Sequence, residues 1–125
     1  MRRSDQRRDA VFASYQRDVT GRPLEDLLGG AKSFTVELAQ GVEDHRAKLD
    51  ETLARHLKNW DLDRVAPLER AIMRVALYEI GHREDVPTEV ALDEAVGFAK
   101  EFCGEAAPGF VNGVLGAAAR ESEAV

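Results

Sequence analysis

The first stretch of this sequence is rich in arginine. Arg2, Arg3, Arg7, Arg8, Arg17 and Arg22 stand among three acids, Asp5, Asp9 and Asp18, within residues 1–22. On a helix, Arg3, Arg7, Ala10, Ser14 and Arg17 fall in one row, at offsets of 0, 4, 7, 11 and 14. Guanidinium groups offer flat, forked donors to phosphate and carboxylate oxygens. The small residues between them let a flat ligand approach closely. Two readings of the row stand side by side. It is either a ligand-facing stripe or a solvated face whose arginines pair with Asp5, Asp9 and Asp18.

Little else in the chain has the spacing of reactive chemistry. His45, His56 and His82 lie far apart on different elements, and no HExxH, cysteine pair or acidic cluster supplies metal spacing. No glycine-rich loop follows a strand, so no nucleotide cradle is expected. Ser4, Ser14, Ser33 and Ser122 lack the context of a nucleophile elbow. Cys103, beside Gly104, reads either as a reactive thiol or as an inert partly buried one, the commoner case. No catalytic constellation emerges, and neither enzyme activity nor a cofactor or metal is expected. Two readings remain: a helical adaptor that binds only protein, or an RNA- or DNA-binding module that uses the arginine stripe. A module making about 2–4 phosphate contacts binds weakly and with strong salt dependence, and needs a partner protein to reach useful affinity.

The element that must hold all this together is the stretch LDRVAPLERAIMRVALYEIGHR. At 100° per residue, apolar side chains from Val65 to Ile80 cover most of the circumference, and only Arg70, Arg74 and Gly81 leave a polar arc. A helix apolar nearly all round needs neighbours on several sides. It is too short and too charged to span a bilayer. Glu79 falls on the apolar face and must be paired, with an arginine or a helix N-terminus as partner. Its role reads as structural.

Other helices are expected around it. Residues 4–19 form the first, capped by Ser4 or Asp5, with Val11, Phe12, Tyr15 and Val19 inward. A short helix follows at Pro23, closed by Gly29 and Gly30. From Ser33 a long amphipathic run is expected to bend or break at Gly41 and the polar Asp44-His45-Arg46, with Asp50 as an alternative start of the second segment, and Trp60 marks the hinge into the central helix, capped by Asp61 or Asp63. Pro87 and Pro108 open the last two helices. Gly109, Gly113 and Gly116, inside the last one, cost about 1 kcal/mol each relative to Ala, which suggests close approach of a backbone or a ligand. Residues 121–125 read as a frayed end. No strand signal or internal repeat appears. The expectation is an all-α bundle of about six or seven helices around one central helix, as a single domain over 1–125.

Charge divides the 125 residues unevenly. The net is −6, but residues 1–22 carry six Arg against three Asp, a net of +3, which leaves −9 for the remainder. A basic arm on an acidic body fits an anionic partner for the arm. One cysteine permits no internal disulfide, and the charged N-terminus has no apolar secretory stretch, so a cytoplasmic protein is expected.

Four segments resemble the NusB family of bacterial transcription antitermination factors: RRDAVFASYQRD, LERAIMRVALYEI, VPTEVALDEAVGFAKEF and FVNGVL, in the right order across nearly the whole chain. The resemblance implies an all-α fold with a surrounded central helix and a scaffold role. It implies binding of the boxA element of nascent RNA jointly with the ribosomal protein NusE. The assembly joins RNA polymerase and other Nus factors in transcribing ribosomal RNA operons. Position by position, it implies RNA contacts for Arg2, Arg3, Arg7 and Arg8 at the arginine-rich start, although Arg8 stands where the family usually has Glu. Tyr15, which can stack on a base, Glu69 at the start of the central helix, and Phe110 of FVNGVL complete the implied RNA-binding set. For Phe110, plain core packing is an equal alternative. Arg70 and Arg74 match basic positions that serve as ion-pair partners within the fold. The chain departs from the family pattern at Asp5, Asp9, Ser14 and Asp93. A homodimer through the face reserved for NusE is a further expectation. The alternative is a NusB-like interaction module without its own RNA binding, docking or regulating an RNA-modifying enzyme such as a ribosomal RNA methyltransferase. That class predicts a Gly-rich cofactor loop, which this sequence does not show.

Overall fold

Pro67 has no N–H to lose and a φ suited to helix entry, and it opens the helix that the apolar run requires. The computed structural model describes residues 2–58 and 61–123. Its helices are α1 (Arg3–Thr20), α2 (Leu24–Leu27), α3 (Ser33–Asp44), α4 (Arg46–Arg55), α5 (Pro67–His82), α6 (Thr88–Phe102) and α7 (Ala107–Glu123), with a 3-10 turn at Leu62–Arg64. No strand occurs among the described residues. Helices α1, α3, α4, α6 and α7 all pack against α5. Every residue from Ala71 to Glu79 is buried as a result. The all-α bundle with a surrounded central helix is therefore what forms. Leu38, Leu53, Ile72, Met73 and Leu115 are fully buried. Each such side chain contributes roughly 1.5–3 kcal/mol by leaving water.

Several local expectations are corrected. The inward face of α1 is rotated from the one expected. Arg7, Ala10, Val11, Ala13 and Ser14 are buried, whereas Phe12 and Tyr15 are only half-buried and Val19 is 52% exposed. The supposed ligand row is thus largely an inner row. Neither Ser4 nor Asp5 caps α1. Its N-cap is Arg2, and Ser4 instead donates to Glu94 at 3.0 Å. Asp61 and Asp63 do not cap α5, whose N-cap is Ala66. Arg70 takes up the chain entering α5 by donating to the carbonyl oxygens of Asp63 and Val65 at 3.1 and 2.8 Å. The hinge residue Trp60 lies outside the described residues.

Two sets of glycines differ in their reasons. The long amphipathic run breaks at His45, not at Gly41, which stays inside α3. Gly41 is needed for space, because a Cβ there would overlap the Tyr78 ring of α5. On α7 the glycines do not meet another backbone among the described residues, which leaves the ligand alternative. Among the described residues, and apart from the adjoining backbone of α7, nothing comes within 4 Å of a Cβ built on Gly109 or Gly113, and at Gly116 the Arg120 guanidinium does. Helix α7 runs on to Glu123, past the expected fraying point.

Candidate nucleic-acid interface

The arginines of α1 divide between the inside and the outside of the molecule. Arg7 points into the junction of α1, α5 and α6. Its Nε is 2.9 Å from both carboxylate oxygens of Glu79, one terminal nitrogen is 2.6 Å from Glu79 Oε2, and the other is 3.2 Å from Glu94 Oε1. Arg7 is 5% exposed and Glu79 1%. Burial acts to lower the Arg7 pKa, but hydrogen bonds and charge from Glu79 and Glu94 outweigh it, and the net direction is upward. All three nitrogens of the guanidinium donate to one or other of these carboxylates. This corrects the expected phosphate contact at Arg7: the group is the buried partner that Glu79 requires.

Arg2, Arg3 and Arg8 stay at the surface. Arg3 donates to Asp85 at 3.1 Å and lies 4.6 Å from the centre of the Phe34 ring. Arg7 and Arg83 approach the same ring, at 5.4 and 5.2 Å, so three guanidiniums share one aromatic. Arg2 is exposed and 3.8 Å from Asp5. Arg8 is 3.6 Å from Asp5 and 3.9 Å from Asp9. These loose, solvated pairs leave the cations available to a stronger anion. The acids that depart from the family pattern thus temper the basic arm.

At the other end of α1, Asp18 gathers Arg46, Arg70 and Arg74, and Arg74 also forks onto Asp50 at 2.7 and 3.0 Å. Burial pushes the Asp18 carboxyl up, but Arg74 and Arg46 hold it below the usual carboxylate range. Arg70 and Arg74 serve the fold, as their positions implied. The cluster fixes α1 against α5 one turn beyond Tyr15, which sits half-buried against the core.

Glu69 and Phe110 come together although they lie on α5 and α7. With Arg64, Val65, Ala66, Cys103, Ala106 and Ala107 they line a cavity of about 400 Å³. Burial pushes the Glu69 carboxyl up. Burial and then the Glu69 charge push the Cys103 thiol up, the direction that disfavours the thiolate. Phe110 packs against the core, the second of its two alternatives, and also lines the cavity. Phe12 of α1 stacks edge-on against Phe102 of α6 at 5.1 Å, and Cys103 follows directly, so the α1–α6 seam leads to this cavity. Sequence reasoning missed Arg64, which sits in the 3-10 turn and has no helical periodicity to reveal it.

The histidines are not all apart. The rings of His45 and His82 lie 4.4 Å apart, and Tyr78 stacks on His82 at 4.6 Å. His56 instead meets Glu121 at 2.8 Å. Among the described residues no three metal-binding side chains converge, and no helix is long and apolar enough to cross a membrane.

Comparison with known proteins bears on this geometry. A model of the NusB family matches residues 4–120. The chain is 45% identical over 122 residues to the transcription antitermination protein NusB of Rubrobacter xylanophilus, a span of 92% of this chain and 88% of that protein. Its fold is that of T. maritima NusB, with a TM-score of 0.89 and 27% identity over 97% of this chain and 92% of the other. The fold is also shared, at a TM-score of 0.85 and 23% identity over 97% and 99% of the two chains, with a chain of a solved complex of antitermination factors NusB and NusE with dsRNA. With the family pattern running from residue 4 to residue 120 and 45% of the aligned positions identical to a NusB protein, the chain belongs to the NusB family.

Proposed function

We propose that this chain is an antitermination factor that binds boxA RNA of nascent transcripts together with NusE, within an RNA polymerase complex that includes other Nus factors. It acts in the cytoplasm as one domain over residues 1–125. The observation that carries the RNA reading is the union of Glu69 and Phe110 on one cavity at the end of the α1–α6 seam. Arg2, Arg3 and Arg8 steer and hold the phosphates along the start of α1, since phosphate contacts position a strand without reading it. Tyr15 supplies an aromatic face. In the cavity, Phe110 offers a stacking edge, and the Glu69 carboxyl accepts from, or when protonated donates to, a base edge. Arg7 takes no part in RNA contact; it keeps α1 in place. The acidic body, at −9 outside residues 1–22, repels nonspecific nucleic acid.

Binding of a labelled boxA RNA and a scrambled control, each with and without NusE and across a salt series, tests this. Tighter binding of boxA than of the control, strengthened by NusE, is the expected result. Removing Arg2 and Arg8 together should lower the slope of log affinity against log salt by about 1.4, at about 0.7 per phosphate contact on a single strand. Equal affinity for the two RNAs with NusE present would sink the reading.

A further inference from the structure

We propose that the single-stranded RNA path continues past Phe110 along the exposed face of α7, in a basic trough floored by glycine. This deepens the RNA reading above and rests on it. Phe110 lines two cavities. One is the Glu69 cavity. The other, of about 380 Å³, lies between α7 and the end of α4 and is bounded by Gly109, Gly113 and Ala117, with Arg55, Lys58 and Arg120 around it. The two cavities therefore flank one aromatic ring.

Three observations converge on an anionic strand as the occupant. First, Gly109 and Gly113 are exposed, and among the described residues no atom outside the adjoining backbone of α7 lies within 4 Å of either Cβ position. What they provide is a flat helix surface that an external chain can approach closely. Gly109 to Ala117 spans about 12 Å along the helix axis, enough for a short run of nucleotides. Second, the rim is cationic on a body that is otherwise acidic. Arg55 is held by Glu121 at 2.9 Å and by Glu51 at 3.4 Å, whereas Lys58 and Arg120 are exposed and have no ion pair among the described residues. A cationic groove with an aromatic at its entrance is the arrangement that tracks a single-stranded backbone without reading its sequence. Third, the trough continues a surface already assigned to RNA. A strand leaving the Glu69 cavity meets Phe110 and then the glycine floor.

The test uses the full chain with NusE and two sets of labelled RNA, the boxA core and the same core extended by about three nucleotides at one end or the other. In the unaltered protein, extension at one end should tighten binding several-fold at about 0.1 M salt. Gly113→Leu fills the trough at an exposed helical position, where leucine favours the helix, so folding is retained and a thermal melt checks it. This substitution should abolish the gain from extension and leave core affinity unchanged. Lys58→Ala with Arg120→Ala should lower the salt slope for the extended RNA by about 1.4, and not that for the core. The proposal is overturned if neither extension tightens binding, or if the gain survives both sets of substitutions. It also falls if the substitutions instead weaken NusE binding measured without RNA, which would make the trough a protein-docking face. Failure of the core RNA itself to bind would overturn the underlying RNA reading, a result distinct from loss of the extension effect alone.

Discussion

Arg7 and Arg8 are adjacent in sequence and fall on different faces of α1, one buried and one partly exposed. Arg7 is sealed between α1, α5 and α6 with its donors engaged by Glu79 and Glu94, whereas the Arg8 side chain is 41% exposed and loosely near Asp5 and Asp9. The difference follows from what each faces. Glu79 sits on the apolar side of a helix that is surrounded, and an unpaired carboxylate there would be prohibitive. A forked guanidinium is the partner that can satisfy both of its oxygens. A row of arginines and small residues that looks made for a ligand can therefore turn inward when the core contains an acid. The neighbouring arginine is then left at the surface. In this helix burial, and not residue type, separates the arginine that holds the fold from the one that solvent reaches.

That contrast can be broken by substitution. The largest effect is expected at Arg7. Arg7→Ala leaves Glu79 buried and unpaired and should cost roughly 3–5 kcal/mol in urea unfolding. Replacing both partners, Arg7→Met with Glu79→Met, should recover most of that loss. A double variant as unstable as the single one would show that the pair is not the reason for the burial.

Next is Asp18, the hub at the other end of α1. Asp18→Asn should cost roughly 1–3 kcal/mol, because three arginines lose a shared charged acceptor. The folded-state pKa of Asp18 is lowered, so its stabilisation is fully present above the ordinary carboxylate pKa and is lost as pH falls through the lowered value. The gap in urea midpoint between the native protein and Asp18→Asn should accordingly shrink between about pH 6 and about pH 2. A gap independent of pH would contradict the ion-pair account.

Arg8 should behave in the opposite way to Arg7. Arg8→Ala should change stability by less than about 0.5 kcal/mol. Its effect should appear in the salt slope for boxA RNA, lowered by about 0.7. A large loss of stability here would erase the contrast between the two residues.

The smallest effect concerns Glu69. Its carboxyl is pushed up by burial, so the charged form weighs against folding above the ordinary carboxylate range, and that penalty fades as pH falls. Glu69→Gln should stabilise the protein slightly at neutral pH, by less than about 0.5 kcal/mol, and not at all near pH 3. Its RNA affinity should nevertheless fall.

Much of the fold was legible because helical periodicity is local. The apolar run from Val65 to Ile80, the break near His45, and the prolines at 67, 87 and 108 placed the elements to within a few residues. The end caps were less legible, since a side chain such as Ser4 can cap a helix or reach Glu94, and only the neighbouring helix decides. At the site, Glu69 and Phe110 were named from motif matches, but their meeting in one cavity was not visible from positions so far apart. The glycines of α7 were correctly marked as unusual. Which of the two suggested partners, a backbone or a ligand, they face was not legible, because a sequence does not show which face of a helix is left uncovered.

The sequence by itself determined that this chain is helical, that one helix must be surrounded, and that Glu79 must be paired. Each follows from the composition of a single helical face. Tertiary structure decided which arginine answers Glu79, which way α1 turns, and which residues share a cavity. Those outcomes depend on where two helices meet, and the buried charge pair between α1 and α5 sets that docking.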